Sequence, residues 1–160
     1  MIEHEQRILL ETAKIAKKKK FDYVSTGSYT VYLVDQVDPE YEDDDLHNND
    51  FVKNSGALGM TKGEVEFDSS YFRNNCDEFD YSNKNYTMYA APTQSILAKW
   101  LREAHDIHVE IYANASGWGW MLTKTNGTTI KEIQDDIFFA TYEIAMEFGL
   151  QEAMRCLGNV

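Results

Sequence analysis

Apolar residues along this chain follow two periods, and the switch between them marks the clearest elements. Ile96, Leu97, Trp100, Leu101 and Ala104 fall on one stripe of a helix, while Lys99, Arg102 and Glu103 fall off it. Pro92 suits a first helical turn and Thr93 a cap. Immediately afterwards Ile107, Val109, Ile111 and Ala113 alternate with His108, Glu110 and Tyr112, the pattern of a half-buried strand. The turn residues Asn114 to Gly117 lead to a second strand carrying Trp118, Trp120 and Leu122. Asn126-Gly127 is a strong hairpin signal and predicts a third strand over Thr128–Ile133. Thr141 then caps a last helix whose inner face is expected to hold Tyr142, Ala145, Met146, Gly149, Leu150, Ala153 and Leu157. Gly149 costs about 1 kcal/mol in a helix interior, which close packing on the sheet would offset. Gly158 stops the helix.

The first ninety residues are less regular. Residues 5–20 predict a helix with Ile8, Leu9, Thr12, Ile15 and Ala16 on one face and Lys17 to Lys20 at its negative end. Tyr29–Val34 reads as a strand, and Gly63–Phe67 as a shorter one. Residues 38–50 read as a turn and acidic loop, and residues 71–86 as a loop-rich stretch of aromatics among Asn, Asp and Ser. The expected fold class is α+β in a single domain over residues 1–160. Its parts are an N-terminal helix (1–22), an acidic Tyr-rich segment with short strands (23–90), and an α-β-β-β-α unit (91–160) in which both helices cover one face of the meander.

Charge sharpens this picture. The net charge is −12, and residues 21–90 carry fifteen carboxylates against four bases. Such a surface repels phosphate backbones, so direct nucleic-acid binding is disfavoured. The α-β-β-β-α order is also that of the double-stranded-RNA-binding domain. That module needs a basic approach to its last helix, whereas this one reads Gln134-Asp135-Asp136. No apolar run reaches membrane-spanning length, the acidic N-terminus lacks a signal-peptide core, and Cys76 and Cys156 lie far apart without metal-type neighbour spacing. Together these predict a cytoplasmic protein without membrane contact.

Candidate chemistry is sparse. His105 and His108 with Asp106 and Glu110 are the strongest metal candidates, but a helix–strand junction separates the imidazoles. The acids from Asp43 fail the calcium-loop template, which requires Gly at its sixth position and Glu at its twelfth. No nucleophile elbow or phosphate-binding glycine loop occurs. No cofactor is expected, and catalysis is disfavoured. Tyr41, Asp43, Asp44, Asp45, Tyr71, Asp77, Glu78, Asp80 and Tyr81 form the candidate interaction surface, since tyrosines supply contact area and carboxylates select basic partners. The expected function is protein binding. The alternatives are an acidic DNA mimic that inhibits a host nucleic-acid-binding protein, and a small metal-dependent hydrolase using His105, His108 and nearby acids.

In APTQSILAKWLRE (91–103), HDIHVEIY (105–112) and TYEIAMEFGLQEAM (141–154), the chain resembles an uncharacterised family of small proteins from phages and integrated mobile elements of gut bacteria. The lysine-rich end of the first helix, followed by Phe21-Asp22, is similar too. The family often has glycine where Lys20 stands and an acid where Ile144 stands. The resemblance implies the helix-and-strand framework and an accessory role in a mobile element. It implies no site, because the matching residues are framework and the family has no established activity.

Overall fold

The computed structural model describes residues 6–32, 64–72, 86–133 and 137–158. In chain order these form α1 (Leu10–Lys18), β1 (Ser28–Tyr32), β2 (Val65–Asp68), β3 (Tyr86–Ala90), α2 (Gln94–His105), β4 (His108–Asn114), β5 (Gly117–Thr123), β6 (Thr129–Glu132) and α3 (Tyr142–Arg155). The fold is α+β, with two three-stranded antiparallel sheets ordered β2-β1-β3 and β4-β5-β6.

The helix–meander–helix unit forms as the pattern predicts. Thr93 and Thr141 cap α2 and α3 by accepting from the Ile96 and Ile144 amides. Val109 pairs with Leu122 and Ile111 with Trp120, so the meander turns one apolar face inward. Helix α3 crosses β4 and β5 on that face, while α2 packs on α3 and touches β4. Trp100, Leu101, Ile107, Leu150 and Ala153 share one core, with Ile111 packed against it half-buried. Gly149 lies where helix and sheet meet: a Cβ there would stand 2.8 Å from Val109 Cγ1 and 3.1 Å from Trp120 Cβ.

The N-terminal region departs from expectation in three places. Helix α1 begins at Leu10 rather than at residue 5, because the preceding residues are extended and bound to another segment. The Ile8 amide donates to the Pro92 carbonyl (3.1 Å) and the Gln94 amide to the Gln6 carbonyl (2.8 Å). Ile8 is fully buried, but Leu9, expected on the same face, is exposed. A strand also lies where none was expected: β3 starts at Tyr86, the last residue of the stretch expected to be loop-rich, and pairs with β1 from Ser28↔Ala90 to Tyr32↔Tyr86.

Helix α1 ends in a Schellman motif. The Phe21 amide returns to the Ala16 carbonyl (3.0 Å) and the Lys20 amide to the Lys17 carbonyl (3.1 Å). The motif places Lys20 at φ 62, the left-handed region that favours glycine. The lysines at this end reach other elements. Lys17 Nζ donates to the Met88 carbonyl of β3 (3.0 Å), and Lys19 Nζ to the Leu157 carbonyl beyond α3 (2.9 Å). Phe21 is completely buried and meets Trp100 edge-on at 5.4 Å, tying α1 to α2.

Candidate binding groove

The N-terminal ends of α1, α2 and α3 converge on one open groove of about 610 Å³. Its walls are apolar. Leu9, Tyr142, Ile144 and Phe148 all line it and are 42–56% exposed. Phe148 is held by a parallel stack on Phe139 (4.6 Å between centroids), and Tyr142 by an edge contact with Trp118 (5.6 Å). Phe139 is itself fixed by reciprocal backbone bonds with Trp118 at 2.8 and 2.9 Å. The wall is therefore anchored through the meander.

The floor is polar and buried. Glu147 is 4% exposed and Gln94 5%. Glu147 Oε1 accepts from the Leu9 amide (2.6 Å) and from the Thr12 hydroxyl, and Oε2 accepts from Gln94 Nε2 (2.9 Å). Thr12 in turn accepts from Gln151 Nε2 (2.8 Å), and Gln94 Nε2 also donates to the Glu143 carbonyl (2.9 Å). Leu9 has no side-chain oxygen with which to cap α1. The Glu147 carboxylate, from a different helix, instead accepts from the amide of Leu9 itself and places negative charge at the positive end of α1. The same charge, together with burial, holds the Tyr29 phenol above its ordinary pKa; burial is the larger cause. The Tyr29 hydroxyl donates to the Ile8 carbonyl (2.7 Å) behind the floor.

Neither Glu147 nor Gln94 was singled out from the sequence. The inner face of the last helix was expected to include Tyr142; instead Tyr142 is exposed and Glu147 is buried. The signal available was spacing. Glu147 stands three residues before Leu150 and seven before Met154, both fully buried, so it shares their stripe.

Of the four metal candidates, Asp106 and His108 meet at Thr125, whereas His105 and Glu110 make separate contacts. His105 packs edge-on against Trp100 (4.6 Å). Asp106 takes the left-handed cap of α2 (φ 54) and accepts from the Thr125 amide (3.0 Å) and hydroxyl. These bonds hold its carboxyl below the usual aspartate range, the hydroxyl bond contributing most. His108 Nε2 lies 3.1 Å from Thr125 Oγ1 and 3.9 Å from Asp106 Oδ1. Glu110 accepts from the Thr123 hydroxyl (3.2 Å). Among the described residues no three His, Cys, Asp or Glu side chains are grouped to hold a metal ion. Of the expected interaction surface, Tyr71 is 82% exposed at the end of the first sheet. Tyr41, Asp43, Asp44, Asp45, Asp77, Glu78, Asp80 and Tyr81 lie outside the described residues. Among the described residues no helix is long and apolar enough to cross a membrane.

No protein-family model matches this chain, and no curated protein and no solved structure matches it either.

Proposed function

We propose that this protein is a non-catalytic binding protein that docks a positively charged partner protein at the groove where its three helices begin. One observation carries the reading: four large apolar side chains, Leu9, Tyr142, Ile144 and Phe148, stand exposed around a single groove. Contiguous apolar surface rimmed by polar groups marks interaction sites, and aromatic anchors dominate the energetics of such sites. Among the described residues the groove's lining contains no His, Cys or Lys, and its Thr141 hydroxyl is committed to the Ile144 amide (3.2 Å). This composition suits contact better than nucleophilic or acid–base chemistry. Positive charge on the partner follows from the net charge of −12, which accelerates encounter with cationic surfaces. The acidic, tyrosine-rich region that includes Tyr71 would add a second contact. A partner in a bacterial host cell or in a mobile element itself would fit the resemblance to proteins of phages and mobile elements of gut bacteria.

The test is affinity capture with the full chain as bait, at about 0.05 M and about 0.5 M salt. It is repeated with an Ile144→Asp/Phe148→Asp double variant whose melting temperature is first matched to the parent. The expected result is a basic protein held by the parent at low salt and lost both at high salt and with the double variant. Capture indifferent to the double variant, a partner without net positive charge, or no capture at all would each overturn the reading.

A further inference from the structure

The groove floor has unfilled acceptor capacity, and we infer that it receives a cationic side chain of the partner, lysine or arginine, as the anchor of the complex. This inference rests on the binding function proposed above and specifies its chemistry.

A carboxylate offers about four acceptor positions. Glu147 fills three of them, with the Leu9 amide, the Thr12 hydroxyl and Gln94 Nε2. Every one of those donors is neutral, and Glu147 has no cationic partner among the described residues. The Gln94 side-chain nitrogen gives its two hydrogens to the Glu143 carbonyl and to Glu147. Its carbonyl oxygen accepts from no described residue, although the residue is only 5% exposed and lines the groove. Two buried acceptors with open positions therefore share one floor, and buried acceptors are rarely left unfilled.

The sign of the preferred ligand follows from the charges around it. Among the described residues the lining carries two carboxylates, Glu143 and Glu147, and no Lys, Arg or His. Helix N-termini oppose this with about half a positive charge each. The end of α1 is already engaged with Glu147, and those of α2 and α3 are capped by Thr93 and Thr141. Even counted together, the three ends supply about one and a half positive charges, fewer than the two negative charges of Glu143 and Glu147. A lysine or arginine side chain also matches the walls. Its aliphatic stem would lie along Leu9, Ile144 and Phe148 while its head donates to Gln94 Oε1 and Glu147 Oε2. An alcohol could donate but would bring no charge. A carboxylate would face two of its own kind.

Small probes test this without knowledge of the partner. The full chain, isotopically labelled, is titrated with n-butylammonium, n-butylguanidinium, n-butanol and n-butyrate. Binding is read from amide NMR shifts of Gln94, Ser95, Ile144 and Phe148. Either cation should bind about tenfold more tightly than butanol, and butyrate more weakly than both. Glu147→Gln should bring the cations down to the level of butanol. Because that variant could also loosen α1, Glu143→Gln at the exposed rim is titrated in parallel and should reduce cation binding by a smaller factor. Equal binding of cation and alcohol, a preference for butyrate, or shifts confined to residues away from the groove would overturn the anchor. The two readings fail separately. Capture of a partner that depends on Ile144 and Phe148 with no cation preference would sink the anchor alone, whereas cation preference without any captured protein would sink the proposed partner.

Discussion

Lys20 shows how a single residue can carry strain that the rest of the helix end tolerates. The Schellman bonds from Phe21 to Ala16 and from Lys20 to Lys17 require a left-handed residue at position 20, and the chain supplies lysine there at φ 62. A side chain in this region costs about 1–2 kcal/mol, part of which glycine would return as greater freedom in the unfolded chain. Lys20→Gly should therefore raise stability by about 0.5–1 kcal/mol in chemical denaturation. A loss of stability would show that the Lys20 side chain makes a contact worth more than the strain. Glu147 illustrates the opposite case, a residue whose importance was hidden. An acid in a helix ordinarily faces water, and its spacing from Leu150 and Met154 was the sole hint that it would not. Its reason for burial lies 138 residues away in sequence, at the uncapped start of α1. Contacts of that span are set by topology and leave no local pattern to read.

At the level of elements, legibility followed locality. The meander was readable because its strands are adjacent in sequence and its period-2 alternation is unbroken from Ile107 to Ala113. Strand β3 was not, since YTMYA ends a run of tyrosines and asparagines and its partner β1 lies far upstream. The start of α1 was misjudged for the same reason: Gln6–Ile8 have helical spacing but take backbone partners from residues 92–94. Gly149 was readable in kind, and the structure supplies the cause. Two principles compete there. Alanine is better than glycine in a helix by about 1 kcal/mol, yet its methyl group would enter a space 2.8 Å from Val109 Cγ1. Overpacking a filled interface costs about 1–3 kcal/mol, so the clash should win or nearly cancel the propensity gain. Gly149→Ala is expected to lower stability by up to about 2 kcal/mol, and a Val109→Ala background should recover part of that loss. A gain in stability on the parent background would mean that α3 stands further from the sheet than described.

For the whole molecule, pH sets two effects against each other. At neutral pH 27 carboxylates outnumber 15 lysines and arginines, and the resulting net charge of −12 repels itself across the surface. Lowering the pH toward the isoelectric value of about 4.6 removes that repulsion and should stabilise the fold. Against this stand carboxylates held ionised by native contacts. Glu152 is kept below its ordinary range chiefly by the Lys131 ammonium at 2.8 Å, with Arg155 at 2.7 Å adding to it. Asp106 is kept low by Thr125. A group whose folded pKa is depressed stabilises the fold above its unfolded value, about 4 for these acids, and that contribution disappears as pH falls through the folded value. The two effects therefore act in different windows. Urea midpoints should be level or rise slightly from pH 7 to pH 5 and fall steeply below about pH 4. Glu152→Gln should flatten part of the acid limb while leaving the shallow rise, because it removes a depressed carboxylate but only one of many repelling charges. The Lys131–Glu152 pair is about half-exposed on the lysine side, so its share of the limb should shrink in raised salt. A midpoint that falls continuously from pH 7 would show that self-repulsion is negligible here. The carboxylates held by native contacts would then govern the whole acid response.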